Sequence, residues 1–271
     1  MMSRITETFQ TTSRESRMAF MPFITAGDPD LATTSAVLRA LRDASVDLIE
    51  LGFPYSDPIA DGPVIQASYT RALEKHITVD GIFRMMAELK TESLPPVLAM
   101  VSFAIIFRHG TAAFVEHAAQ VGFSGLIIPD LPADEADDLS ALAKKHGLDL
   151  VQLIAPTTTD RRTKQILAAS SGFLYCISVA GTTGVRSELP PELIQQLKSL
   201  RSQSDLPLAV GFGISRPEHV ASLAGVADGV IVGSAMVRQM ASASTSAEAA
   251  AAVKTLAIEM KSAAAKTKPS R

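Results

Sequence analysis

The sequence predicts an α/β protein: a (β/α)8 barrel, or TIM barrel, with an extra N-terminal helix. Eight short apolar runs alternate with amphipathic segments, and several runs are apolar throughout, as are strands covered on both faces. A length of 271 residues suits such a barrel, which typically has about 250. An open, doubly wound sheet is the alternative, but no dinucleotide-binding fingerprint supports it. We expect a single domain over residues 1–271, with a leading helix at 1–17 and a frayed tail at 266–271.

The apolar runs are predicted to be parallel strands joined by right-handed crossovers. Turn-forming residues, here Gly27, Asp28 and Pro29, end the first of them. The predicted strands are residues 18–24, the run that begins at Val46, and residues 97–102, 125–129, 148–154, 173–179, 206–210 and 229–232.

The segments between the strands are predicted to be helices. Leu31, Val37, Leu38 and Leu41 recur at helical spacing. The segment 134–145 has acids in its first turn and lysines in its last, as the helix dipole favours. The predicted helices cover residues 3–17, 31–43, 64–74, 79–90, 112–121, 134–145, 161–169, a segment starting near 190, 217–223, a short segment ending at 240, and 242–266.

Composition indicates a soluble globular protein, with 47% hydrophobic residues and a mean hydropathy of +0.22. The net charge of −3 lacks the basic footprint of nucleic-acid binding. The longest nearly uncharged stretch, 95–107, is shorter than the roughly 20 residues that cross a bilayer. Cys176 lies in an apolar run, which favours an inert core thiol over a nucleophile. With one cysteine and no visible secretory signal, we expect a cytoplasmic protein.

A carboxylate interrupts the second apolar run near its carboxyl end. Glu50 has to be desolvated, paired or used there, because burying an unpaired charge is costly. The loop that follows is rich in proline and therefore stiff, so it can hold a second carboxylate, Asp61 or Asp57, at a fixed distance. We interpret this stretch as an active-site loop. The alternative is a buried Glu50 paired with a distant Lys or Arg, next to an Asx-turn.

Glycines follow the last three predicted strands. They occur in the segment 181–184, at Gly211 and Gly213, and at Gly233, which precedes Ser234. Glycines let the backbone approach an anion, and the helix N-termini behind them offer unpaired N–H groups. In barrels of this class, phosphate often binds after strands seven and eight. The pattern predicts a phosphate site, although the glycines could instead serve only as tight turns.

Other catalytic patterns are missing from the sequence. It contains no P-loop and no G-x-S-x-G motif, and no lysine stands at a predicted strand end to form a Schiff base. The histidines lack metal-ligand spacing, and we interpret them as solvated surface residues: His76, His109, His117, His146 and His219. The inventory therefore points to a phosphorylated small molecule and to proton transfer by carboxylates, with no metal.

Seven segments of the chain, taken together, resemble the tryptophan synthase alpha chain family. They run in the family's order across almost the whole sequence, and the second is long and specific to that family. The segments are Pro22–Pro29 (PFITAGDP), Glu50–Pro63 (ELGFPYSDPIADGP), Pro129–Pro132 (PDLP), Ala155–Thr158 (APTT), Ala180–Gly184 (AGTTG), Gly211–Ser215 (GFGIS) and Gly233–Ser234.

The resemblance implies a lyase of tryptophan biosynthesis that cleaves indole-3-glycerol phosphate to indole and glyceraldehyde 3-phosphate. The family's acid/base glutamate falls on Glu50, and the aspartate that holds the indole N–H falls on Asp61. The family's phosphate contacts fall on Gly184, Gly213, Gly233 and Ser234. Its pocket wall and closing loop match Phe23, Tyr175, Thr183 and Phe212.

The resemblance also implies a partner. In the family, the alpha chain works with a beta chain in an α2β2 heterotetramer, and pyridoxal phosphate belongs to the beta chain, so no cofactor is expected in this chain. One departure concerns the loop after the third strand, beside the substrate and toward the partner. The family usually carries a tyrosine and an asparagine there, where this sequence has Ser102 and Ala104.

Overall fold

Parallel strands form a nearly closed ring in the computed structural model, which describes residues 2–58, 61–177, 190–211 and 213–267. Around the ring, the order of the described strands is β5, β4, β3, β2, β1, β9, β8, β7, β6. The predicted barrel is thus confirmed. The strands are β1 (Ala19–Thr25), β2 (Ile49–Gly52), β3 (Val97–Met100), β4 (Gly125–Ile127), β5 (Asp149–Val151), β6 (Leu153–Ile154), β7 (Leu174–Ile177), β8 (Leu208–Gly211) and β9 (Gly229–Val232).

The ring has its seam at Gln152, the residue between β5 and β6. We expected one strand over 148–154, and the structure divides it into these two short segments. β5 pairs with β4, and β6 pairs with β7. The first and the last strand in the order around the ring are therefore consecutive in the chain. The backbone N–H of Tyr175 donates to the carbonyl of Gln152 at 3.1 Å. The eight expected strand positions therefore appear as nine segments.

Helices cover the outside of the ring, and α1 precedes the first strand as expected. No described helix combines the length and the apolar character that crossing a membrane requires. The helices are α1 (Arg4–Arg14), α2 (Leu31–Asp43), α3 (Pro63–Glu74), α4 (Val79–Leu89), α5 (Phe103–His109), α6 (Thr111–Gln120), α7 (Asp137–Lys145), α8 (Asp160–Ala169), α9 (Pro191–Gln203), α10 (Pro217–Ala221), α11 (Ser234–Ala241) and α12 (Ser246–Ala265).

Two helical regions differ from the prediction. Sequence analysis predicted no helix directly after the third strand, where α5 starts at a Ser102 cap. The single helix predicted over 134–145 is instead a 3-10 turn, Ala133–Glu135, followed by α7. Ala136 separates these two pieces, and its backbone N–H closes the 3-10 turn by donating to the carbonyl of Ala133.

The apolar core has an inner and an outer layer. Inside the barrel, side chains from the strands form a cluster that Ile5 and Phe9 of α1 close at one end. The ring centroids of Phe9 and Phe173 lie 5.5 Å apart in this cluster. A larger cluster between the strands and the surrounding helices contains Phe20 and Phe53. Helix α1 therefore closes the end of the barrel opposite the predicted active site.

Candidate active site

Glu50 faces the interior of the barrel. Side chains alternate between the two faces of a strand. Leu48 belongs to the inner cluster, while Ile49 and Leu51 belong to the outer one, so Glu50 faces inward. It is fully buried and lies in register with Phe23 of β1. Its place near the carboxyl end of β2 is where barrel enzymes assemble their active sites.

The carboxyl group of Glu50 is neutral at physiological pH. Neither side-chain oxygen has a hydrogen-bond partner among the described residues. Burial, followed by the nearby charge of Asp61, raises the pKa of Glu50 to about 8. The alternative interpretation, in which a Lys or Arg pairs with this carboxylate, finds no support in the described residues. A buried acid that keeps its proton at pH 7 is suited to donating it.

Asp61 lies half-buried in the loop between β2 and α3. Its backbone N–H donates to the carbonyl of Pro58 at 3.1 Å. The side-chain amide of Gln66, in the first turns of α3, donates to the carbonyls of Pro58 and Asp61 at 3.1 and 2.8 Å. Helix α3 therefore anchors the part of the loop that carries Asp61. Sequence reasoning missed the positioning contact made by Gln66.

Asp61 and Glu50 have well-separated pKa values. Burial raises the pKa of Asp61 to about 6, which is below that of Glu50. Between about pH 6 and 8, Asp61 is ionised and Glu50 is protonated. The charge of Asp61 contributes to the raised pKa of Glu50. Asp57, the other aspartate left open by the sequence, is exposed and accepts a hydrogen bond from the Ser56 hydroxyl.

Aromatic side chains line the space around Glu50. A Cβ atom on Gly52 would lie 2.5 Å from the ring of Phe23 and 3.0 Å from the Tyr69 hydroxyl. A Cβ atom on Gly211 would lie 2.6 Å from the ring of Tyr175. Glycine at these two strand ends therefore leaves room for the rings. Phe23, Tyr69 and Tyr175 are each at most 5% exposed.

Tyr69 also lies beside the candidate carboxyl pair, and sequence reasoning missed it. Burial raises its pKa well above the usual value, and the charges of Asp61 and Glu50 add to the effect. Burial and the charge of Glu50 act in the same way on Tyr175. Both phenols therefore stay protonated beside the carboxyl pair. The available signal was the helical spacing of Ile65 and Tyr69, which share one cluster with Phe23.

The N-terminus of α11 lies beside Phe23. Gly233 caps this helix without a side-chain hydrogen bond, and its Cα faces Phe23 closely enough that an added Cβ would lie 3.7 Å away. Ser234 is the first helical residue and is half-buried. An uncapped helix start of this kind offers backbone N–H groups to an anion.

Gly213 follows the carboxyl end of β8, the strand next to β9. Its φ of +77° is in the region that favours glycine, and open space surrounds the position of a Cβ atom. The three glycine-bearing strand ends expected to form the phosphate site belong to β7, β8 and β9, which are neighbours in the ring. The remaining candidates, Gly184, Thr183 and Phe212, lie outside the described residues.

Cys176 is a buried thiol of low reactivity. It is fully buried in the outer core layer, and burial raises the pKa of its thiol to about 12. The thiol is therefore protonated at neutral pH and unsuited to nucleophilic attack. The expected inert role of this cysteine is confirmed.

A cavity of about 430 Å³ opens at the other end of the barrel, beside α1. Phe9 and Arg14 of α1 line it together with Pro207 and Asp228, which precede β8 and β9. Asp228 binds Arg201 at 2.7 Å and accepts the backbone N–H of Leu208. This cavity does not contain the carboxyl pair, which is at the carboxyl ends of the strands.

A family model described as tryptophan synthase alpha chain matches residues 9–265. The chain belongs to the tryptophan synthase alpha chain family. A relative of that name from Rhodopirellula baltica is 48% identical over 264 residues, which cover 95% of each chain. Another from Synechocystis sp. is 43% identical over 97% of this chain and 99% of its own.

Solved structures of tryptophan synthase have the same fold. An alpha chain from Legionella pneumophila superposes with a TM-score of 0.87 at 36% identity, covering 97% of both chains. The open form of tryptophan synthase from M. tuberculosis, with BRD0059 bound, contains a chain that superposes at 0.88 with 29% identity, covering 98% of this chain and 100% of that chain. This alpha chain is a carbon–carbon lyase of tryptophan biosynthesis that cleaves indole-3-glycerol phosphate, as expected.

Ser102 and Ala104, where the sequence predicts a departure from the family pattern, lie at the start of α5. The Ser102 hydroxyl donates to a carboxylate oxygen of Asp130 at 2.6 Å and accepts the backbone N–H of Ala104 at 3.3 Å. The other oxygen of Asp130 accepts the N–H of Phe103 at 2.8 Å. In this alpha chain, the segment therefore ties β3 to the loop after β4.

Proposed function

We propose that Glu50 and Asp61 carry out the cleavage in this alpha chain. The observation that supports the proposal is a pair of carboxyl groups, one fully buried and one half-buried, whose pKa values are about 8 and about 6. Paired groups whose environments separate their pKa values provide an acid and an ionised partner at the same pH. The reaction breaks the bond between the indole ring and the glycerol side chain and requires no redox chemistry.

Glu50 is the acid in this proposal. A proton added to the indole carbon that bears the side chain makes that carbon a leaving group. The carbon–carbon bond then breaks, its electrons return to the ring, and the neighbouring hydroxyl loses its proton as the aldehyde forms. Glu50 holds the required proton at neutral pH, because its burial disfavours the anion. Once Glu50 has given its proton to the ring carbon, its carboxylate is a suitable acceptor for the hydroxyl proton as the bond breaks, and this transfer restores the acid.

Asp61 is the ionised partner. Positive charge develops on the indole nitrogen when the ring carbon is protonated, and a carboxylate that accepts the N–H hydrogen bond stabilises that charge. Asp61 is half-buried, which strengthens the interaction relative to water. The anchor from Gln66 holds the loop in place, so little reorganisation is needed.

The remaining site residues are assigned to substrate binding. We propose that Gly184, Gly213, Gly233 and Ser234 bind the phosphate through backbone N–H groups and the serine hydroxyl. The uncapped start of α11 supports this assignment. We propose that Phe23, Tyr175, Thr183 and Phe212 form the wall and closing loop around the indole. The buried rings of Phe23 and Tyr175 next to Glu50 support the first two.

The partner and the location are also proposals. We propose that the alpha chain assembles with a tryptophan synthase beta chain as an α2β2 heterotetramer in the cytoplasm. Pyridoxal phosphate then belongs to the beta chain, and this chain uses no cofactor. The names of the related structures, which are of tryptophan synthase as well as of alpha chains, support the pairing.

Conservative substitution of each carboxyl tests these roles. Glu50→Gln and Asp61→Asn are expected to reduce the kcat of cleavage at least a hundredfold, since each removes a proton or a charge needed in the transition state. Both variants are expected to bind indole-3-glycerol phosphate, measured by titration calorimetry. Asp57→Asn, on the same loop but exposed, is the matched control and is expected to retain activity. Wild-type turnover in both test variants would contradict the assignment.

A further inference from the structure

Three potential metal ligands meet on the outside of the barrel, away from the carboxyl pair. Asp80 is in the first turn of α4, His109 ends α5, and His117 is in the last turn of α6. One ligand atom from each of these residues lies within 4.8 Å of the others. Among the described residues, no other group of three or more His, Cys, Asp or Glu side chains meets this distance.

The two imidazole rings are held by packing. The ring centroids of His117 and Phe83 lie 4.4 Å apart, and those of His109 and Phe83 lie 5.9 Å apart. The His109 ring also meets Phe114 edge to face, at 5.8 Å. Both histidines are half-buried, as are His146 and His219, so the expectation that all five are solvated surface residues holds only for the exposed His76. Rings held in this way lose little side-chain entropy on binding an ion.

The connection between α5 and α6 brings the two histidines together. Gly110 alone links the helices, with a φ of +91° that favours glycine. Helix α6 therefore starts directly at the end of α5, and His117 returns to the side where His109 lies. Both histidines are in the last turns of their helices, where the negative end of the helix dipole favours a cation.

We propose that Asp80, His109 and His117 bind a divalent transition-metal ion, for which Zn²⁺ is the probe. Two imidazoles and a carboxylate are a ligand set that Zn²⁺ accepts, with water in the fourth position. Tetrahedral Zn²⁺ with bonds of about 2.0 Å places its ligands roughly 3.3 Å apart, so the side chains close by about 1–2 Å on binding. Asp80 is exposed and free to make this adjustment.

The ion would join three consecutive helices of the outer layer. Sequence reasoning missed the site, because one ligand comes from each helix and no short motif results. The site is separate from the residues proposed for cleavage. Because only the folded state brings the three ligands together, the bound ion is expected to stabilise the folded chain.

Calorimetric titration of the metal-stripped, full-length chain with ZnCl₂, without a histidine tag, tests the proposal. We expect about one Zn²⁺ per chain and a rise in the thermal midpoint when Zn²⁺ is present. His109→Gln and His117→Gln are each expected to weaken binding at least tenfold. His146→Gln, at the end of α7 and outside the cluster, is the matched control and is expected to bind as the wild type does.

Asp80→Asn tests whether weaker binding in the histidine variants results from misfolding. Asp80 is exposed, and its replacement leaves the packing on Phe83 intact. It is also expected to weaken binding. Absence of saturable binding, or equal affinity in Asp80→Asn and the wild type, would overturn the proposal. An equal loss in His146→Gln would do the same. Co²⁺ substitution gives a second readout, since a tetrahedral site produces a visible absorption that the three ligand variants should lose.

Discussion

Burial of Glu50 raises the pKa of its carboxyl group and makes the stability of the folded chain depend on pH. The carboxyl group has no partner among the described residues, and its pKa is about 8 instead of the usual 4.5. The folded chain therefore holds this proton more tightly than the unfolded chain does. Between these pH values only the unfolded chain ionises, so rising pH favours unfolding across that window.

Replacement of Glu50 by glutamine is expected to stabilise the protein at alkaline pH. The advantage of Glu50→Gln over the wild type should be smallest near pH 4.5, grow as the pH rises, and level off above about 8. It amounts to as much as about 5 kcal/mol, since each pKa unit corresponds to about 1.36 kcal/mol. Urea unfolding at several pH values measures it.

The control for this stability prediction is Glu74→Gln, which changes an exposed carboxylate at the end of α3. It should show little difference from the wild type at any pH. An advantage of Glu50→Gln that stays constant from pH 4.5 to 9 would mean that Glu50 ionises normally in the folded chain.

At the scale of elements, α5 shows what a side chain at a helix start contributes. The Ser102 hydroxyl caps this helix and also donates to Asp130, so it joins α5 to the loop after β4. A serine immediately before an apolar segment is a recognised helix-start signal. The prediction nevertheless lacks α5, because a helix of seven residues is too short to show a repeating helical pattern of apolar residues.

Ser102→Ala is expected to destabilise the chain by about 1–2 kcal/mol, because it removes a cap and leaves Asp130 without one of its donors. Chemical denaturation measures the change. Ser202→Ala, which removes an exposed hydroxyl within α9, is the control and should stay within about 0.5 kcal/mol of the wild type. If the two variants were equally stable, the Ser102 contacts would contribute nothing measurable to the free energy of unfolding.

At the scale of the whole molecule, the alternation of apolar runs and helices was enough to predict the barrel and its carboxyl-end site. Glu50 could be singled out because a charge within an apolar run is conspicuous. Tyr69 and Gln66 could not, because their roles depend on how α3 packs against the loop that carries Asp61. The break between β5 and β6 at Gln152 could not be predicted either, because the sequence pattern predicts one continuous strand over residues 148–154. The single-domain organisation over 1–271 stays a prediction.

The central claim is that a protonated Glu50 and an ionised Asp61 act together. The pH dependence of kcat/KM for cleavage of indole-3-glycerol phosphate tests it most directly. Asp61 and the substrate phosphate both ionise near pH 6, so the acid limb of the profile does not distinguish between them. The basic limb therefore provides the test of Glu50. We predict that kcat/KM falls tenfold per pH unit above about 8, as Glu50 loses its proton. A profile that stays flat from pH 7 to 10 would contradict the account.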